Sequence, residues 1–237
     1  MPLLTLADAE LHYGDLPLLD RAALSVEAGE RIGLIGRVAS GKSTLGRLIC
    51  GLYPPSEGTY LIDGLDSRQY HPHEVRGELR YVGQDAELFS GTVRDNLMLG
   101  ASSLDDERLI EAVRRSGADS FLARDAAGFD SLVGERGSRL SGGQRSFLVM
   151  ARALVEPSRL IFLDEPTGAM DTETERLFTA RLSQALRPDQ TMIVSTHRHA
   201  MLAIVDRLLV IDQGRIIADG PRDEILASLT VQAQARG

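Results

Sequence analysis

At 237 residues, with 43% hydrophobic and 25% charged residues, the chain has room for one large domain or a main domain with a smaller subdomain, in the range ordinary for globular proteins. A formal net charge of −8 argues against non-specific nucleic-acid binding, which depends on basic surface. The single cysteine, Cys50, excludes an internal disulfide and fits a reducing compartment. No apolar run reaches the roughly 20 residues of a bilayer span, and "MPLLTLADAE" lacks the basic start of a signal peptide.

The first strand-like run, "RIGLIG" (31–36), feeds "GRVASGKST" (36–44), which satisfies G-x-x-x-x-G-K-[ST] just before the helix-like "TLGRLICGL". The spacing has a chemical reason. Gly36 and Gly41 let the backbone of Arg37, Val38, Ala39 and Ser40 curl so that its N–H groups face a phosphate, and the helix start adds partial positive charge. Lys42 reaches the β and γ phosphates, while Ser43, followed by Thr44, offers a hydroxyl to Mg²⁺. Ala39 stands where a further small, flexible residue often appears, and its small size makes it acceptable there. ATP or GTP binding follows.

From about Gln84 to about Ser138 no long strand-like run occurs, and the segment reads as a mostly helical subdomain inserted in the core. Its clearest helix, "SLDDERLIEAVRRSG", opens at Ser103, carries Asp106 three residues on, places Leu109, Ile110 and Val113 on one face, and stops at Gly117. Next comes "RLSGGQRSFLVMAR" (139–152), a second serine-and-glycine helix start leading into Leu148, Ala151 and Leu154. A chain folded around its own phosphate loop has no obvious need for it.

"LIFLDEPTGAMD" (160–171) is a buried strand ending in adjacent acids, which Pro166 terminates. Side chains alternate along a strand, so the acids divide the work: Asp164 to hold Mg²⁺ or its water shell, Glu165 to polarise the attacking water as general base. "TMIVST" (191–196) is a further strand, with His197 directly after it, placed to donate toward a γ-phosphate or toward the carboxylate that orients water. His12, His71, His73 and His199 read as ordinary surface or loop residues. "RLLVID" (207–212) and a turn at Gln213-Gly214 lead to a short last strand, and the tail "TVQAQARG" reads as frayed. Strands alternating with helices give an α/β fold with a mostly parallel sheet, and Cys50 reads as a small buried residue on the helix after the loop.

The ordered set "GRVASGKST", "YVGQDAELFSGTVRDN", "LSGGQR", "LIFLDEPTGAMD" and "STHR" resembles the nucleotide-binding domain of ABC transporters over nearly the whole chain. That resemblance implies a P-loop NTPase core with a mostly parallel sheet, an N-terminal antiparallel β portion and an inserted α-helical subdomain at approximately 85–158. It implies that Tyr13 stacks on adenine and that Gln84 ligates Mg²⁺ and senses the membrane partner. Asp171 would lie in the loop that crosses to a second protomer. It also implies a head-to-tail homodimer around two ATP, in which Ser141, Gly142, Gly143 and Gln144 meet the γ-phosphate held by the other protomer's Gly36–Thr44. "LFSGTVRDNLMLGA", "VGERGSRLSGGQR" and "RIIADGPRDEIL" are similar to the exporter branch, particularly type I protein-secretion ATPases. Such a chain would sit at the cytoplasmic face of the inner membrane through an exporter's transmembrane domain, alongside a secretion adaptor and outer-membrane components. Two other classes compete. Soluble ABC-type ATPases of repair or translation carry a long coiled coil or two cassettes, and neither is in this sequence. A regulatory module without turnover has no need of Glu165 and His197. Phe147 departs from the pattern, since many relatives carry a polar or basic residue there; core packing and a membrane-facing role both fit it.

Overall fold

The apolar runs that read as buried strands form the centre of one sheet. In the computed structural model, which describes residues 1–99 and 105–234, they are β3 (Arg31–Ile35), β7 (Leu160–Asp164), β8 (Thr191–Ser195) and β9 (Arg207–Asp212). All five residues of β7 and of β8 are buried, so both faces are covered and the sequence shows a continuous apolar run instead of alternation. β9, β3, β8 and β7 lie side by side and run parallel, with β10 (Arg215–Pro221) antiparallel at one edge and β6 (Leu79–Val82) at the other. A second, antiparallel sheet has the order β2-β1-β4-β5, from β1 (Leu4–Tyr13), β2 (Leu16–Val26), β4 (Glu57–Ile62) and β5 (Leu65–Asp66). The helices are α1 (Lys42–Ile49), α2 (Pro72–Glu78), α3 (Val93–Leu97), α4 (Asp106–Ser116), α5 (Asp119–Leu122), α6 (Gly142–Leu154), α7 (Thr172–Ala185), α8 (His199–Leu202) and α9 (Arg222–Gln234).

The chain divides into two compact units. Met1–Tyr81, Arg159–Glu165 and the segment from Pro188 on form the first; Val82–Ser158 and Pro166–Arg187 form the second. In the first, a core of Leu4, Leu6, Leu34, Leu45, Leu48, Phe162 and Ile193 joins side chains from both sheets and α1. Burying a side chain of this size is worth about 1.5–3 kcal/mol. α1 lies directly against β7 at Gly46, where a Cβ would come within 2.4 Å of the Phe162 ring. The helix that follows the phosphate loop is therefore seated by a glycine-on-aromatic contact. Cys50 caps the C-terminus of α1 and is buried, which pushes its thiol pKa up.

The β9–β10 hairpin turns at Gln213 (φ 47°) and Gly214 (φ 77°), the left-handed pair that a two-residue hairpin demands. Its Gly214 amide donates to the Ser40 carbonyl (2.9 Å), and the Gly214 carbonyl accepts from the Asp20 amide (3.0 Å). The phosphate loop is thus tied through this turn to β2.

In the second unit α4, α6 and α7 bury Leu109, Ala112, Val113, Leu148, Ala151, Phe178 and Leu182. Phe147 is a core residue: it is 4% exposed and its ring centre lies 5.4 Å from that of Phe178. Three expectations need correction. Ile110 does not share the buried face of α4; it is 44% exposed, and Ala112 takes the inward place. α4 is capped by Asp105, whose carboxylate accepts from the Arg108 amide (2.9 Å), while Ser103 lies outside the described residues; the stop at Gly117 adopts φ 91°. The tail does not fray at Thr230, because α9 continues to Gln234, and 235–237 lie outside the described residues.

Candidate functional site

The phosphate loop leaves β3 and enters α1 in a conformation that its residues dictate. A Cβ on Gly36 would stand 2.3 Å from the Ile211 carbonyl oxygen, so only glycine fits. Gly41 sits at φ 107° as the N-cap of α1, a position closed to other residues without strain. No side chain caps α1 and no acid stands in its first turn, which leaves the helix start open to an anion. Ala39 occupies φ 62°. The issue at this position is therefore the backbone and not the size of the side chain: a left-handed alanine is strained by about 1 kcal/mol or more. Lys42 folds back over the loop, its Nζ donating to the carbonyls of Gly36 (2.8 Å) and Arg37 (3.0 Å). Ser40 Oγ is buried without a hydrogen bond, Ser43 and Thr44 are half-buried, and Val38 is almost fully exposed.

At the end of β7 the two acids part company, though not quite by strand alternation. Asp164, 2% exposed, is the last strand residue. Glu165 has already left the strand at φ 47°, so the break precedes Pro166; its amide still donates to the Ser195 carbonyl (2.9 Å). Asp164 accepts two O–H groups, from Ser195 to Oδ1 (2.5 Å) and from Tyr81 to Oδ2 (2.8 Å). Burial, and behind it the hydrogen bond to Asp164, raise the Tyr81 phenol's pKa, so it stays protonated and remains a donor. His197 Nδ1 lies 3.1 Å from Glu165 Oε1 and 3.0 Å from Oε2. The hydrogen bond goes to Oε1, which leaves the buried Oε2 without one. The imidazole is 73% exposed against 13% for the Glu165 side chain. Tyr13 closes β1 opposite Leu16, 80% exposed.

These residues, with Gly36–Thr44, belong to the first unit; Gln84, Ser141–Gln144 and Asp171 belong to the second. There Ser141 caps α6 in a reciprocal pair: its Oγ accepts from the Gln144 amide (3.2 Å), and Gln144 Oε1 accepts from the Ser141 amide (2.8 Å). The two glycines have a packing reason. A Cβ on Gly142 would lie 2.9 Å from the Ala169 carbonyl, and one on Gly143 would lie 2.6 Å from Thr174 Cγ2. Asp171 caps α7, accepting from the amides of Glu173 (3.0 Å) and Thr174 (2.9 Å), and the Thr174 bonds hold its carboxyl below the usual range. Gln84 follows β6 and lines a cavity of about 370 Å³ together with Gly142, Arg145, Pro166 and Ala169.

Sequence reasoning passed over Tyr81 and Ser195. Ser195 was within reach, since it ends the strand that presents His197; Tyr81 carried no signal beyond being an aromatic next to "VGQ". His71 also gained a role: it caps α2, its ring Nδ1 accepting from the His73 amide (3.3 Å) while Glu74 accepts from the His71 amide (3.2 Å). The site fits Mg-ATP on its own geometry. An uncapped glycine-started helix and a lysine suit phosphate oxygens, and the hydroxyl and carboxylate oxygens of Ser43 and Asp164 suit a hard cation.

A strand, a glycine loop and a helix on a parallel sheet, with an acid-tipped strand beyond one intervening strand, define a P-loop ATPase. The ABC transporter family model matches residues 19–168, and the chain belongs to that family. It is 41% identical over 216 residues to the mycobactin import ATP-binding/permease protein IrtB of Mycolicibacterium smegmatis, covering 91% of this chain and 37% of that protein. It is 38% identical over 212 residues to the ATP-dependent lipid A-core flippase of Chromobacterium violaceum (90% and 36% covered). Against the toxin RTX-I translocation ATP-binding protein of Actinobacillus pleuropneumoniae the identity is 37% over 210 residues (89% and 30%). The structure of a bacterial Atm1-family ABC exporter with ATP bound shares the fold at a TM-score of 0.90 and 33% identity, covering 99% of this chain and 42% of that one. The chain thus spans about a third of the length of the curated relatives it matches. Among the described residues no helix is long and apolar enough to cross a membrane.

Proposed function

We propose that the chain is the ATP-hydrolysing motor domain of an ABC exporter, closing head-to-tail on a second nucleotide-binding domain with two Mg-ATP between them. The observation that carries the hydrolytic part is the Glu165–His197 pair: a carboxylate leaving the strand at φ 47°, hydrogen-bonded through one oxygen and with the other left without a hydrogen bond. With its proton on Nδ1, His197 fixes the carboxylate, and the carboxylate takes the proton of the attacking water. Tyr13 would stack on adenine, Gly36–Thr44 would wrap the phosphates with Lys42 on their outer oxygens, and Ser43 and Asp164 would hold the metal. Mg²⁺, when bound, neutralises charge on the β and γ phosphates. Ser141, Gly142, Gly143 and Gln144 close on the phosphate held by the partner, with Asp171 in the crossing loop. Loss of the γ-phosphate charge then weakens the join. Residues 85–158 act as the helical subdomain, and Gln84 with "GERG" (134–137) passes the motion to transmembrane helices at the cytoplasmic face of the inner membrane.

For cargo, the toxin-translocation relatives support a protein or peptide. The lipid A-core flippases, of similar identity, support a lipid-like cargo as the second reading. Glu165→Gln tests the motor assignment: we expect ATP binding to persist, ATP-dependent dimers to accumulate in size-exclusion chromatography, and hydrolysis to fall by about 10²–10⁴. Turnover at the unsubstituted rate would remove Glu165 from the role.

A further inference from the structure

Asp164 is held more tightly than a metal-site carboxylate at a strand end requires. Both of its oxygens accept an O–H, from Ser195 on the adjacent strand β8 and from Tyr81 on β6, and the residue is almost wholly buried. The two donors come from different strands and engage different oxygens, so together they fix the rotation of the carboxylate plane. Tyr81 is itself fixed. Its ring stacks on Phe162, two residues before Asp164 on β7, with centres 5.6 Å apart and planes 24° apart. The Arg47 guanidinium stands 5.9 Å over the Tyr81 ring from the side of α1. The chain thus orders Arg47, Tyr81 and Asp164 as a packed series from the phosphate-loop helix to the carboxylate.

We propose that Tyr81 is a positioning residue for the Mg-nucleotide site, acting through Asp164: its phenol O–H, opposite that of Ser195, sets the carboxylate's orientation before the metal arrives. This rests on the reading of Asp164 as the metal-holding carboxylate. A free aspartate at a strand end samples several χ2 values and must be ordered when the cation binds. Clamped at both oxygens, this one is ordered by the fold, and lone pairs remain on each oxygen for the metal or its water shell. Tyr81→Phe removes the donor and keeps the ring, so the stacking on Phe162 and the Arg47 contact survive.

The test uses Mn²⁺ as a spin probe. Its affinity for the ATP-loaded chain is measured by electron paramagnetic resonance, alongside ATP affinity in EDTA and thermal unfolding without metal. For Tyr81→Phe we expect Mn²⁺ affinity to fall by about 10–100-fold, the usual cost of losing a group that orients a ligand, with metal-free ATP affinity unchanged. Ser195→Ala should move the same readout in the same direction. A lower unfolding temperature with unchanged Mn²⁺ affinity for Tyr81→Phe would make the tyrosine merely structural and overturn the proposal. Asp164→Asn separates the two levels. If it weakens Mn²⁺ binding while Tyr81→Phe does not, the positioning role fails alone; if it has no effect, the assignment of Asp164 fails, and the proposal with it.

Discussion

Two helices in this chain begin with glycine and serine, and they begin in opposite states. α1 starts at Gly41, at φ 107°, with no capping side chain; Lys42 bends back to the loop carbonyls, and the first-turn amides have no side-chain acceptor. α6 starts at Ser141, whose hydroxyl and backbone amide are both engaged with Gln144. The first start is held open by backbone conformation and has no side-chain cap; the second has the amides of Ser141 and Gln144 engaged by each other's side chains. An anion therefore binds at the first start without displacing a capping side chain. At the second, any anion that takes the serine hydroxyl must compete with a cap worth about 1 kcal/mol. That asymmetry fits a cycle in which nucleotide loads onto one half-site before the other closes.

Breaking the open start should give the largest effect. Lys42→Ala removes the one charged donor the loop carries over its carbonyls, and a charge-assisted hydrogen bond is worth about 1.5–3 kcal/mol. Titration with a fluorescent ATP analogue should show nucleotide affinity falling by about 10–100-fold. Unchanged affinity would mean that the folded-back lysine never turns to phosphate. The self-capped start should respond differently. Ser141→Ala should lower the unfolding free energy by about 1 kcal/mol in urea, the ordinary value of an N-cap, and leave ATP affinity of the dilute, monomeric chain where it was. If instead it weakened ATP binding by the monomer, the two starts would not divide between two chains.

The same asymmetry explains which parts of the molecule were legible in the sequence. The buried strands 31–35, 160–164, 191–195 and 207–212 announced themselves because a parallel sheet covered on both faces leaves only apolar residues between polar ends. The phosphate loop was legible because few sequences put two glycines, a lysine and a serine in that register for any other reason. What escaped was whatever depends on contacts distant along the chain. Tyr81 stands 83 residues from Asp164 and Ser195 stands 31, so no local pattern could join them. Phe147, odd beside the signature serine, was explained only when Phe178 met it. Gly142 and Gly143, read as phosphate amides, also turned out to be packing glycines against Ala169 and Thr174. Ile110 failed for another reason: helical spacing limits the buried stripe to an arc, and Ala112 showed that a small residue can occupy it as readily as a large one.

The smallest expected effect lies at Ala39, where backbone conformation and not side-chain size sets the strain. Ala39 adopts φ 62° in the open start, where an L-residue is strained by about 1–2 kcal/mol relative to right-handed backbone. Glycine would relieve that strain but bring about 0.5–1 kcal/mol of extra chain entropy to the unfolded state. The balance favours Ala39→Gly by about 0.5–1 kcal/mol, readable as a rise in the urea midpoint at unchanged slope. The side chain is exposed, so no packing term competes. A fall in the midpoint would mean that the loop does not hold the left-handed turn in solution. The open start would then be something nucleotide creates, and the contrast with the self-capped α6 would reduce to a difference in sequence alone.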